Sequence, residues 1–131
     1  MGLFKQMSFD QKYVKAVKAS HKAGHISAVQ QQWLFDLLIL GNGAVESSRR
    51  TFEMGIVRSA EVAVMGAFVM IAEAAESGGE AEKAQACQAA AVACGILNGL
   101  SALESAIVVD TLLEYHAASR KKIYELLGMR A

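Results

Sequence analysis

Proline is absent from all 131 residues of the chain, and 23 of them are alanine. β-Rich folds lean on β-branched runs and proline-marked turns, whereas alanine is the best helix former. An all-α protein is therefore expected. Net charge is missing as well, because 13 Lys+Arg balance 13 Asp+Glu. A nucleic-acid coat or a polybasic membrane binder needs a net positive field, so neither is expected. Charged residues make up only 20% of the chain against 53% hydrophobic, which excludes a disordered chain.

Cysteine is scarce, with Cys87 and Cys94 alone. Seven residues along one helix separate them by roughly 10 Å, beyond the reach of a disulfide. Two buried, reduced thiols in a reducing compartment are the expectation. Long apolar runs are missing too. Residues 62–72 carry no charge but fall short of the roughly 20 residues that span a bilayer. Residues 84–103 are long enough, yet contain Gln85, Gln88, Asn98 and Ser101. Residues 1–6 lack the apolar core of a secretory signal, and Gln6 stands where a myristoylation signal wants Ser or Thr. A cytoplasmic protein without a membrane span is expected.

What the chain does have is punctuation for helices. Ser8 with Gln11, Ser27 with Gln30 and Ser101 with Glu104 each have the spacing of a capping box. Gly24, Gly41, Asn98-Gly99 and Gly128 supply the stops. Asn42 caps a third helix that meets no strong breaker before Gly78-Gly79, although Gly55 and Gly66 mark kink points within it. Five helices follow: two short, one long and kinked, then two more over 80–97 and 102–128. They are expected to pack antiparallel as a single helical-bundle domain over 1–131. The fourth helix is dominated by Ala, Cys and Gly, which admits close neighbours and places it at the centre or an interface.

Charge is uneven along this bundle. Both ends are basic and 59–115 is acidic, so ends and middle are complementary. On the first helix Lys12, Lys15, Lys18 and Lys22 share one face, while Tyr13, Val14, Val17 and His21 share another. The lysine face is a candidate surface for phosphate or anionic lipid, with Leu3 and Phe4 ahead of it and residues 120–122 able to extend it. A normal surface helix with solubilising lysines is the expectation. His21 and His25 have the spacing of two metal ligands on one helix and would need His116 or a carboxylate as a third. Gly24 interrupts that helix, so no metal is expected. Nothing resembles a nucleophile elbow, a phosphate-binding glycine loop or a zinc cluster, so neither catalysis nor a cofactor is expected.

The second helix is apolar on every side from Trp33 to Leu40 except at Asp36. Such a helix is buried centrally or in a partner. Asp36 then needs a partner, for which Arg49, Arg50 and Arg58 are candidates, or else lies on a narrow wet stripe. Residues 62–72 present Met65, Phe68 and Met70, an adaptable apolar set that lines either a pocket or ordinary core. The apolar surplus leads to the functional expectation: a non-enzymatic bundle acting through self-association first and a protein partner second. Trp33, Phe35, Leu38, Phe68 and Met70 are its expected contacts. The alternative is a small apolar ligand held between helices, by Trp33, Phe35 and Asp36 (or Glu61), or by Met65, Phe68 and Met70.

Overall fold

Among the described residues six helices form rather than five. The computed structural model describes residues 2–128, with side chains from Ser8 onward. In chain order the helices are α1 (Gly2–Lys22), α2 (Ala28–Ile39), α3 (Gly43–Glu53), α4 (Ala60–Ser77), α5 (Ala81–Leu97) and α6 (Ala102–Leu126). No strand occurs among the described residues, and none of their helices is long and apolar enough to cross a membrane.

The sixth helix arises because the expected long one breaks. Met54 ends α3, and Gly55 takes φ +76°, a left-handed turn that only glycine adopts without strain. The Ile56 N–H then reaches back to the Thr51 carbonyl at 3.0 Å. Ser59 restarts the chain as an extended N-cap whose hydroxyl accepts from Val62 N–H. Gly66, the other expected kink point, lies inside an uninterrupted α4. Ser8 is a second correction. The backbone is already helical from Gly2, so Ser8 lies within α1 and caps nothing. Residues 3–7 contain no breaker, and each residue added to a nucleated helix gains a hydrogen bond. Leu3 and Phe4, placed by sequence ahead of the lysine face, have side chains outside the described set.

The remaining caps form as read. Ser27 with Gln30, and Ser101 with Glu104, make both hydrogen bonds of a capping box at 2.8–3.1 Å. Asn42 Oδ1 accepts from the amides of Ala44 and Val45.

One cluster of buried side chains draws on all six helices. The α4–α5 contact is its most extensive, and α5 also meets α1, α2 and α6. Small side chains make this possible: Ala84, Ala86, Cys87, Ala90, Ala91, Cys94 and Gly95 are the buried residues of α5. Larger ones fill the space around it. Phe9, Tyr13 and Val17 enter from α1, Leu34 from α2, Val45 and Phe52 from α3, and Val109 from α6. Tyr13 packs against Phe68 in a tilted ring pair with centroids 4.6 Å apart, and its hydroxyl donates to the Leu34 carbonyl at 2.6 Å. That bond satisfies the one polar atom the tyrosine carries into the core and ties α2 to α1.

Candidate functional site

The most site-like feature is an apolar cleft between the last turns of α1 and the second half of α5. It has a volume of about 550 Å³, within the range of small-molecule sites. Ala19, Ser20 and Ala23 line it from α1, and Ala89, Val92, Ala93, Ile96 and Leu97 from α5. Ala102 and His25, the latter just past the Gly24 turn, also line it, and both are exposed. The alanines leave the cleft open, since no longer side chain reaches across. Ser20 is fully buried, and its hydroxyl has no hydrogen-bond partner.

Sequence reasoning named none of these residues as a site except His25, and that for a metal. The available signal was a row of small residues, 19, 20 and 23, at helical spacing on the flank of α1. Facing it is the alanine run of α5.

The residues singled out from sequence lie elsewhere. Trp33, Phe35 and Leu38 are half-buried and pack on the edge of the core. The ammonium of Lys83 lies over the Trp33 ring at 5.4 Å. Phe35 and Leu38 border a shallow groove shared with Val14 and Lys18. Asp36 takes a hydrogen bond from the Gln32 amide one turn earlier, at 2.9 Å, rather than an arginine. Its expected partner Arg49 is committed elsewhere, with Nη2 2.9 Å from Asp10 and Nη1 beside Glu46, while Arg50 and Arg58 are exposed. Met65 and Phe68 are buried, so Phe68 offers no surface to a partner. Met70 is half-buried and its sulfur accepts from the Ser48 hydroxyl.

The lysine face divides. Lys12 pairs with Glu61 at 3.1 Å, while Lys15, Lys18 and Lys22 are exposed. The Glu61 carboxyl is held below its ordinary range by its own backbone N–H and, against the effect of burial, by Lys12 and Ser59. Tyr13 and Val17 are buried on the opposite side, as the amphipathic pattern requires. His21 Nδ1 lies 3.1 Å from the Ile26 carbonyl, and the helix ends before His25. Among the described residues no three His, Cys, Asp or Glu side chains group as metal ligands.

Cys87 and Cys94 are both free and buried. Cys94 Sγ donates to the Glu61 carbonyl at 3.3 Å. Desolvation pushes both thiols up to about 12, so the reactive thiolate is scarce at neutral pH. Iodoacetamide at pH 8 is accordingly expected to leave both cysteines unmodified in the folded protein and to alkylate both in urea. Mass spectrometry of the intact chain reads this directly, and prompt native labelling of either thiol would contradict the burial.

Comparison with protein-family models, with curated proteins and with solved structures finds no match to this chain. Function is therefore read from the chain's own surfaces and cleft.

Proposed function

We propose that this chain is a non-enzymatic helical-bundle protein that acts by association, with a second copy of itself first, and that α6 carries the contact. One observation supports this above the rest. Over its 25 residues α6 fully buries only Ser105 and Val109. Leu103, Ile107, Val108, Tyr115, Ile123, Leu126 and Leu127 stay exposed along it, Tyr115 at 65% and Leu126 at 74%. Scattered apolar side chains are ordinary on a surface, but this many on one helix mark a contact element, and Ile107, Val108, Tyr115 and Leu126 fall within about 100° of one another around its axis.

Charge on the same helix points to the second copy as the occupant. Glu104, Asp110 and Glu114 lie in its first half, and Lys121 and Lys122 in its second, beside an Arg120 already paired with Glu73, with Glu125 beyond them. Two α6 helices running in opposite directions about a two-fold axis near Tyr115 bring acidic half against basic half. The contact thus moves from the Trp33–Leu38 and Phe68–Met70 residues expected from sequence to the last helix. Within the chain, the short turns at Gly78-Gly79 and Asn98-Gly99 and the bond from Cys94 to Glu61 support antiparallel packing of consecutive helices.

The test is mass in solution. Native mass spectrometry and sedimentation of the wild type are expected to give a multiple of 14.0 kDa. Ile107→Glu combined with Tyr115→Glu should return 14.0 kDa with helicity unchanged, because neither side chain contributes to the core. A wild type that is monomeric at about 100 μM, weaker than any specific contact of standard size, would overturn the proposal.

A further inference from the structure

We infer that the α6 contact closes as a dimer in one antiparallel register, with its two-fold axis between Tyr115 and Ala118, and that Lys121 of each chain selects this register by seating between Asp110 and Glu114 of the partner subunit. Such a register rests on the association proposed above, to which it adds a direction and a stopping point.

The core fixes which side of α6 faces out. Ser105 and Val109 are buried, and Leu112 and His116 are half-buried on the same side. At about 100° per residue, Ile107, Thr111, Ala118 and Lys122 lie opposite them, and all four are exposed. Val108, Tyr115 and Leu126 share one flank of this outward stripe, while Asp110, Glu114 and Lys121 share the other. No ion pair among the described residues engages Asp110, Glu114 or Lys121. All three are free to pair with a second chain.

In an antiparallel pair about a two-fold axis, each flank of the stripe meets the same flank of the partner. An axis between Tyr115 and Ala118 then makes three matches at once. Tyr115 lies across from the small Ala118 of the partner subunit, which leaves room for its ring. Val108 meets Leu126 of the partner subunit on the apolar flank. On the charged flank Lys121 of the partner subunit comes level with Leu112, midway between Asp110 and Glu114. Neighbouring registers fail on charge. Sliding one chain by a heptad in one direction sets the two Glu114 side chains together, and the opposite slide does the same to the two Lys121 side chains. Like charges so placed oppose association. A parallel pair sets Lys122 against Lys122 of the partner subunit and the charged flank against the apolar one. The antiparallel pair uses the outward side of each α6 once, so assembly stops at two copies.

Disulfide trapping in the full chain reads the register. Thr111 faces Lys122 of the partner subunit across the axis, whereas within one chain the two positions lie about 16 Å apart, beyond the reach of a disulfide. Thr111→Cys combined with Lys122→Cys is therefore expected to oxidise to a covalent dimer in a glutathione buffer. Either substitution alone is expected to stay uncrosslinked, because equal positions of the two chains also stand about 16 Å apart. The native Cys87 and Cys94 are buried and do not interfere. Charge reversal tests the selecting residue. Lys121→Glu should weaken the dimer by about tenfold or more in sedimentation equilibrium, with helicity unchanged, since a pairing becomes a repulsion on both sides of the axis. Adding Asp110→Lys and Glu114→Lys to the same chain should return the affinity to within about threefold of the wild type. A wild-type dimer whose double-cysteine variant stays uncrosslinked, or whose single variants crosslink, would overturn the register and leave the association standing. A triple variant no tighter than Lys121→Glu would overturn the role of Lys121, and a wild type larger than a dimer would overturn the stopping point. A monomeric wild type would overturn the register together with the association beneath it.

Discussion

Phe68→Ala is expected to lower the midpoint of thermal unfolding by roughly 10–20 °C, following a loss of about 3–5 kcal/mol typical of a buried Phe truncated to Ala. Phe68 is 0% exposed, in the middle of α4, and its ring meets Tyr13 of α1 at 4.6 Å between centroids. Two effects add. The apolar area of the ring is no longer removed from water, and the space it leaves is walled by α1, α4 and α5, whose positions are set by many other contacts. Collapse is hindered, so most of the cavity persists. Tyr13 loses its ring partner, yet its hydroxyl stays tied to Leu34, which opposes movement of the ring into the gap. Circular dichroism during heating measures the midpoint. A shift of only a few degrees would mean that the α1–α4 contact is not packed as described.

Gly95→Ala is expected to destabilise the protein by about 1–3 kcal/mol, the range for overpacking a well-filled site. Helix propensity alone predicts the opposite sign, a gain of about 1 kcal/mol for replacing glycine by alanine in a helix interior. The local geometry decides. A methyl at position 95 would overlap Ser105 Oγ, lie 2.9 Å from Ser105 Cβ and 3.0 Å from Met65 Cε. The end of Met65 can swing aside. Ser105 cannot, because its hydroxyl is bonded to the Val92 carbonyl and its Cβ moves only with the backbone of α6. The α5–α6 crossing must therefore open. Gly66 in α4 is the internal control, since a methyl there meets nothing within 4 Å. Gly66→Ala is expected to follow propensity and stabilise by up to about 1 kcal/mol. Urea denaturation of the two variants side by side, with Ser105→Gly added to Gly95→Ala, separates crowding from propensity. Crowding predicts that the second substitution recovers part of the loss.

Local signals account for much of the helix pattern. The Ser27 and Ser101 boxes, the Asn42 cap and the glycine stops are short-range devices, in which a side chain or a positive φ satisfies groups within a few residues. They were legible for that reason. The same short range explains the two misreadings. At Ser8 a valid capping sequence is outcompeted by a helix already propagating from Gly2. At 54–59 Gly55 and Ser59 together form a stop and a start, but Gly55 alone reads as a kink, and a kink and a full break look alike until the following residues leave the helix.

The candidate site was far less legible. The apolar surplus was visible in composition, but its location was not, because α4 is more apolar than α6 and yet buries most of what it carries. Burial depends on which neighbours arrive, and among the described residues α6 meets only α4 and α5. The cleft was invisible for a related reason: Ala19, Ser20, Ala89 and Ala93 carry no chemical signature, and a cavity among small residues exists only once α1 and α5 are set at their distance.

By itself, then, the sequence determined the all-helical class, most helix ends, the amphipathic sense of α1 and the close-packing character of α5, because each follows from backbone propensity and from side chains within a turn or two. Tertiary structure alone decided that Phe68 and Met65 are core, that Arg49 serves Asp10 instead of Asp36, that α6 keeps an apolar face in water, and that Ser20 lies unpaired at the cleft. Each of those depends on residues far apart in the chain being brought to within a few ångströms, which no local pattern encodes.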